Sequence, residues 1–95
     1  MQFLFNDFNS CLDQPFTLVF NGTTHPLTLI SVDRLAASAA KGVPEAFSIV
    51  LRGNREPVLE QQIYRINNDR LGEMELFIVP IGPDDKGMRY EAVFS

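Results

Sequence analysis

The chain opens on apolar residues at spacings of three and four: Phe3, Leu4, Phe5, Phe8, Cys11 and Leu12, with Asn6, Asn9, Ser10 and Asp13 between them. That period predicts a short amphipathic helix over 3–14. Gln14-Pro15 would end it, because the residue before a proline is pushed out of the α region. The apolar stripe needs cover, which an open barrel end or a sheet would supply.

From Phe16 the period changes to two. Phe16, Leu18 and Phe20 alternate with Thr17, Val19 and Asn21, and Asn21-Gly22 supplies a hairpin turn. The return strand is expected over Leu27–Val32, with Pro26 tolerable if that end lies at an edge. The alanine-rich stretch from Asp33 to Lys41 reads as one or two helical turns, with Asp33 as N-cap and Gly42 as the residue after the end. Val43-Pro44 reads as loop.

A third strand spans Phe47–Gly53, with Phe47, Ile49 and Leu51 on one face. A fourth is expected near 61–67, with Ile63, Tyr64 and Ile66 as packing residues. Asn67 to Gly72 has the chemistry of a turn. The fifth strand, Glu73–Ile81, is apolar on both faces in its second half: Met74, Leu76 and Ile78 on one, Phe77, Val79 and Ile81 on the other. Such a strand needs cover on its outer side. The N-terminal helix is the expected cover, and a second subunit is the alternative. Gly82 to Gly87 forms a solvated turn into a last strand, Arg89–Phe94, where Tyr90, Ala92 and Phe94 alternate with Glu91 and Val93.

Six strands, short turns and one N-terminal helix predict a mainly β fold, a small antiparallel barrel, closed or partly open. Composition narrows the picture further. Ninety-five residues make one domain, 1–95, and an apolar fraction of 45% suffices for a single core. With 12 acidic and 8 basic side chains the net charge is −4, against the basic excess that a nucleic-acid partner calls for. An oligonucleotide-binding barrel would also need exposed stacking aromatics beside arginine. Cys11 is the one cysteine, so no internal disulfide forms, as expected of a reducing cytoplasm. The start, Met1-Gln2-Phe3-Leu4-Phe5, has no basic region and does not read as a signal peptide. No run approaches the roughly 18 apolar residues of a membrane span.

The chemistry-bearing residues are sparse. The one histidine, His25, sits between the Asn-Gly turn and Pro26, and Ser31, Ser48 and Asp33 fall in no nucleophile-elbow pattern. Cys11 lies at apolar spacing, which suits packing. One His and one Cys make no zinc site, and Asp84-Asp85 lacks the spacing of a calcium loop. Glu73 and Glu75 share a strand face as ordinary polar alternation. No catalytic set, metal or cofactor is therefore expected. Arg52, Arg55, Arg65, Arg70 and Arg89 are the more informative group. If the third and fourth strands pair, Arg52, Arg55 and Arg65 converge beside Tyr64, a chemistry suited to a protein or anionic partner.

Several stretches resemble a family of small, uncharacterised bacterial β-rich domains of unknown function. They are Phe47–Gly53, Leu59–Arg65, Leu71–Pro83 and Tyr90–Phe94, with 8–18 similar too, although the family more often has glycine where this chain has Asp13. The resemblance covers nearly the whole chain and implies a free-standing compact β domain. Family members occur in bacteria that also encode phage-tail-like proteins.

The expected role is a non-catalytic interaction or structural module, accessory to a phage-tail-like or other bacterial assembly, with a protein partner or homo-oligomer. Its contacts would be Arg52, Arg55, Arg65 and Tyr64. Alanine at Arg52 and Arg55 should then weaken partner capture and spare thermal stability. The alternative is a small-ligand binder or minor enzyme with a pocket at the barrel mouth near His25.

Overall fold

The computed structural model describes residues 3–35 and 46–94. It holds one short helix, α1 (Phe5–Asn9), and six strands: β1 (Pro15–Phe20), β2 (Thr23–Arg34), β3 (Phe47–Gly53), β4 (Gln62–Asn68), β5 (Gly72–Pro83) and β6 (Met88–Phe94). The strands close into a barrel in the order β1-β2-β3-β6-β5-β4, every neighbouring pair antiparallel. Closure rests on a short seam between β1 and β4, where Thr17 faces Asn67, Leu18 faces Ile66 and Val19 faces Arg65. Closure pairs every strand on both sides over part of its length, which limits the edge open to another chain.

Alternation fixes what points inward. Leu18, Leu29, Ile49, Leu51, Ile66 and Ile78 are fully buried along the barrel axis, and Met74 and Leu76 join Ile78 on the inner face of β5. The β1–β2 turn places Asn21 at φ 51 and Gly22 at φ 74, the left-handed pair that a two-residue hairpin requires. β2 begins at Thr23, earlier than expected. Its residues 23–26 pair with β1 alone, since pairing with β3 starts at Leu27. Pro26 therefore sits on a locally unpaired edge, where its missing N–H costs no ladder bond.

One barrel end is filled by aromatic rings. Phe8, in the last turn of α1, is fully buried and lies 6.3 Å from Phe16, 5.9 Å from Phe47 and 5.1 Å from Phe94, centroid to centroid. Phe47 and Phe94 stack at 4.6 Å, and the Arg34 guanidinium covers Phe5 at 4.0 Å. Asp7 holds the start of α1, its carboxylate accepting from the Leu4 N–H at 2.7 Å. The helix is shorter than its apolar spacing suggests. Leu12 is half exposed, and Asp13 turns the chain at φ 66, donating its N–H to the Leu29 carbonyl at 2.8 Å. Glycine adopts that φ without steric cost. Replacement of Asp13 by glycine is expected to leave stability within about 0.5 kcal/mol, and by valine to lower it by about 1–2 kcal/mol, measured by urea unfolding.

Residues 54–61 close the other end. Tyr90, fully buried, accepts the Leu59 N–H on its hydroxyl at 2.9 Å, and the Tyr64 hydroxyl donates to the Glu60 carbonyl at 2.8 Å. Gly87 is buried against the end of β3, where an added Cβ would collide with the Gly53 carbonyl oxygen. Replacing Gly87 with alanine forces two backbones apart, for an expected loss of about 1–3 kcal/mol in thermal unfolding.

Three expectations need correction. Asp33 does not cap a helix: Asp33 and Arg34 continue β2, extended by pairing with Ser48 and Phe47. The rest of that expected helix and the Val43-Pro44 loop lie outside the described residues. β4 does not turn Ile63 inward with Tyr64 and Ile66, because alternation sends it out. The helix does not cover the outer face of β5. It lies against β2 at the barrel end, where Phe8 finds more aromatic surface.

Candidate functional site

Arg52 and Arg55 come together at Asp84, but Arg65 does not join them. β3 and β4 are not neighbours; they stand on opposite sides of the six-stranded ring. Arg52, on the outer face of β3, pairs with Asp84 at 3.0 Å, and Arg55 donates to the Asp84 carbonyl at 2.8 Å. Arg65 faces out on β4, 3.7 Å from Glu73, with both groups mostly solvated. Tyr64 does not reach the surface beside it: its ring points into the barrel, edge-on to Phe20 at 5.3 Å. Burial and the nearby Glu60 push its phenol above the usual range.

Asp84 organises the β5–β6 turn. Its Oδ1 accepts the N–H groups of Lys86 and Gly87 at 2.8 and 3.0 Å, and its Oδ2 takes Arg52. Arg52 stands directly across from Arg89, a like-charge pair that Asp84 offsets. The backbone N–H groups of Lys86 and Gly87, with Arg52 beside them, hold the Asp84 carboxyl below its ordinary value. A lowered carboxyl contributes stability at pH above the ordinary carboxylate range, lost as pH falls through its own lower value. The pH-unfolding curve of Asp84→Asn should therefore be flatter than wild type below about pH 4. A double-mutant cycle with Arg52→Ala should give only a small coupling, since both groups keep solvent contact.

His25 lies in β2, opposite Leu18, and is half-buried. It lines a hollow of about 10 Å³ with Pro26, Gly53, Asn54, Pro57 and Tyr90. That is room for about one water, whereas small-molecule pockets run to some 300–1,000 Å³. Cys11 is fully buried, its thiol directed at the Asn68 Oδ1 at 3.8 Å. Glu73 and Glu75 share the outer face of β5 in solvent. Among the described residues no three His, Cys, Asp or Glu side chains group to hold a metal ion, and no helix is long and apolar enough to cross a membrane.

The feature that stands out lies on the outer wall of β4 and β5. Ile63 and Phe77 face each other across the two strands, 60% and 50% exposed. Val79 and Ile81 extend the apolar strip along β5. Two residues further along, Arg65 faces Glu75, and then Asn67 faces Glu73. Single exposed apolar side chains are common on any protein. Two large ones in direct cross-strand register, on strands whose inner faces already fill the core, serve no packing need. Ile63 shares its alternation with Arg65 and Asn67, and that polar company was the signal that it faces outward.

Compared with known families, the chain matches over residues 3–94 the family described as Domain of unknown function (DUF6916), and it belongs to that family. No curated protein and no solved structure matches it.

Proposed function

We propose that this member of the family is a non-catalytic interaction or structural module that docks through the outer wall of β4 and β5. The exposed Ile63–Phe77 pair carries the reading. A closed barrel with a filled interior offers its outside for recognition, and an apolar centre with a charged rim is the ordinary anatomy of a contact surface. Arg65 belongs to that rim. Arg52 and Arg55 instead hold the β5–β6 turn, and Tyr64 supports β4 from within. An accessory place in a larger assembly, of the phage-tail-like or other bacterial kind, suits such a module, as does a cytoplasmic setting in which the lone Cys11 stays reduced.

Immobilised wild-type domain is expected to retain its partner from a lysate of the native cells, and the Phe77→Asp domain to release it. Phe77→Asp should keep the wild-type circular dichroism spectrum, since the side chain supports no inner packing. Equal retention by both domains would remove this wall from consideration.

A further inference from the structure

We infer that a second copy of this chain docks on the β4–β5 wall, about a two-fold axis running along the seam between the two strands. The inference rests on the reading of that wall as a contact surface and names its occupant.

The argument is one of register. A two-fold axis parallel to the strands and midway between β4 and β5 lays each copy's β4 over the other's β5 without reversing the rows. Each outward residue then meets the residue it already faces across its own sheet. Ile63 meets Phe77 of the second copy, Arg65 meets Glu75, and Asn67 meets Glu73. The centre becomes apolar on apolar, twice over, and the next row becomes two arginine–carboxylate pairs. The other in-plane two-fold, across the strands, would set the Arg65–Glu75 row against the row of Val79 and leave charges facing apolar side chains. The along-strand arrangement is thus self-complementary in shape and charge, as an isologous interface must be. Standard interfaces take about 800 Å² from each partner, a modest share of the 5983 Å² surface of this chain. A convex barrel presents a narrower seam than a flat sheet, which sets the expected affinity in the micromolar range.

Sedimentation velocity at about 100 μM, well above a low-micromolar Kd, reads the result. Wild type is expected at twice the 10.7 kDa of one chain, and Phe77→Asp as a monomer with an unchanged melting curve at high dilution. The sharper arm uses two single variants, Arg65→Glu and Glu75→Arg. Each alone sets like charges together in the dimer and should weaken self-association at least tenfold. Mixed, they restore both opposite-charge contacts between copies, and a heterodimer should form. Repair of charge within one chain cannot mimic that result, because each chain keeps its own mismatch. A monomeric wild type, or a mixture that stays monomeric, overturns the inference. A monomeric wild type whose lysate partner is still lost in Phe77→Asp overturns the second copy alone and leaves the contact surface standing.

Discussion

Phe8→Ala is expected to cost about 3–5 kcal/mol, the largest loss of any single side chain in the domain. The ring is fully buried and touches Phe3, Phe16, Phe47 and Phe94, so its removal leaves a hole that four other rings cannot close without leaving their packed positions. Small domains hold roughly 5–15 kcal/mol in all, and each kcal/mol shifts the midpoint of a chain this size by about 4–8 °C. The thermal midpoint, followed by circular dichroism, should therefore fall by at least about 12 °C. A fall of less than about 5 °C would mean that α1 sits loosely on the barrel end and that the core closes without it.

The second large effect is expected at Asn68, a polar side chain that is 5% exposed. Its Oδ1 accepts the N–H groups of Arg70 and Leu71, each at 2.9 Å, which shapes the turn from β4 to β5. Its Nδ2 donates to the Pro15 carbonyl at 3.0 Å, tying that turn to the start of β1 beside the short β1–β4 seam. Leucine fills nearly the same volume and satisfies none of these groups. Each buried polar group left without a partner costs about 1–3 kcal/mol, and solvent reaches part of the turn, so Asn68→Leu should lose about 2–4 kcal/mol. Urea unfolding measures the loss. Amide exchange should quicken first at Arg70 and Leu71; unchanged protection there would contradict the role given to Asn68.

The strands were legible because each is an alternating apolar run bounded by turn chemistry. Phe47–Gly53 was readable to the residue, and Asn21-Gly22 announced the first hairpin. A small antiparallel barrel, closed or partly open, followed from the number of strands and the need to hide their edges; the structure closes it. The order of the strands was not legible. The pairings β3–β6 and β1–β4 join segments far apart in the chain, and local spacing carries no mark of which distant strand lies alongside. The expected convergence of Arg65 with Arg52 and Arg55 failed for that reason. Arg52 and Arg55 meet Asp84, some thirty residues on, while Arg65 lies across the barrel from them.

The helix misled in a different way. Spacings of three and four persist to Leu12, but only Phe8 and Cys11 are buried, and the left-handed turn at Asp13 hands the chain to β1. With the helix drawn to the barrel end by the aromatic rings, the outer face of β5 keeps the exposure that its doubly apolar pattern had flagged. Ile63 adds to it from β4.

The central claim is that this wall makes contact with another protein surface. The most direct measurement places a photoreactive benzoylphenylalanine at position 77 in the native cell, with Asp33, exposed on β2 across the barrel from β5, as the control position. Irradiation is expected to cross-link the domain through position 77, to a second copy or to another protein, and not through position 33. An inert position 77, or equal labelling from both, would contradict the account.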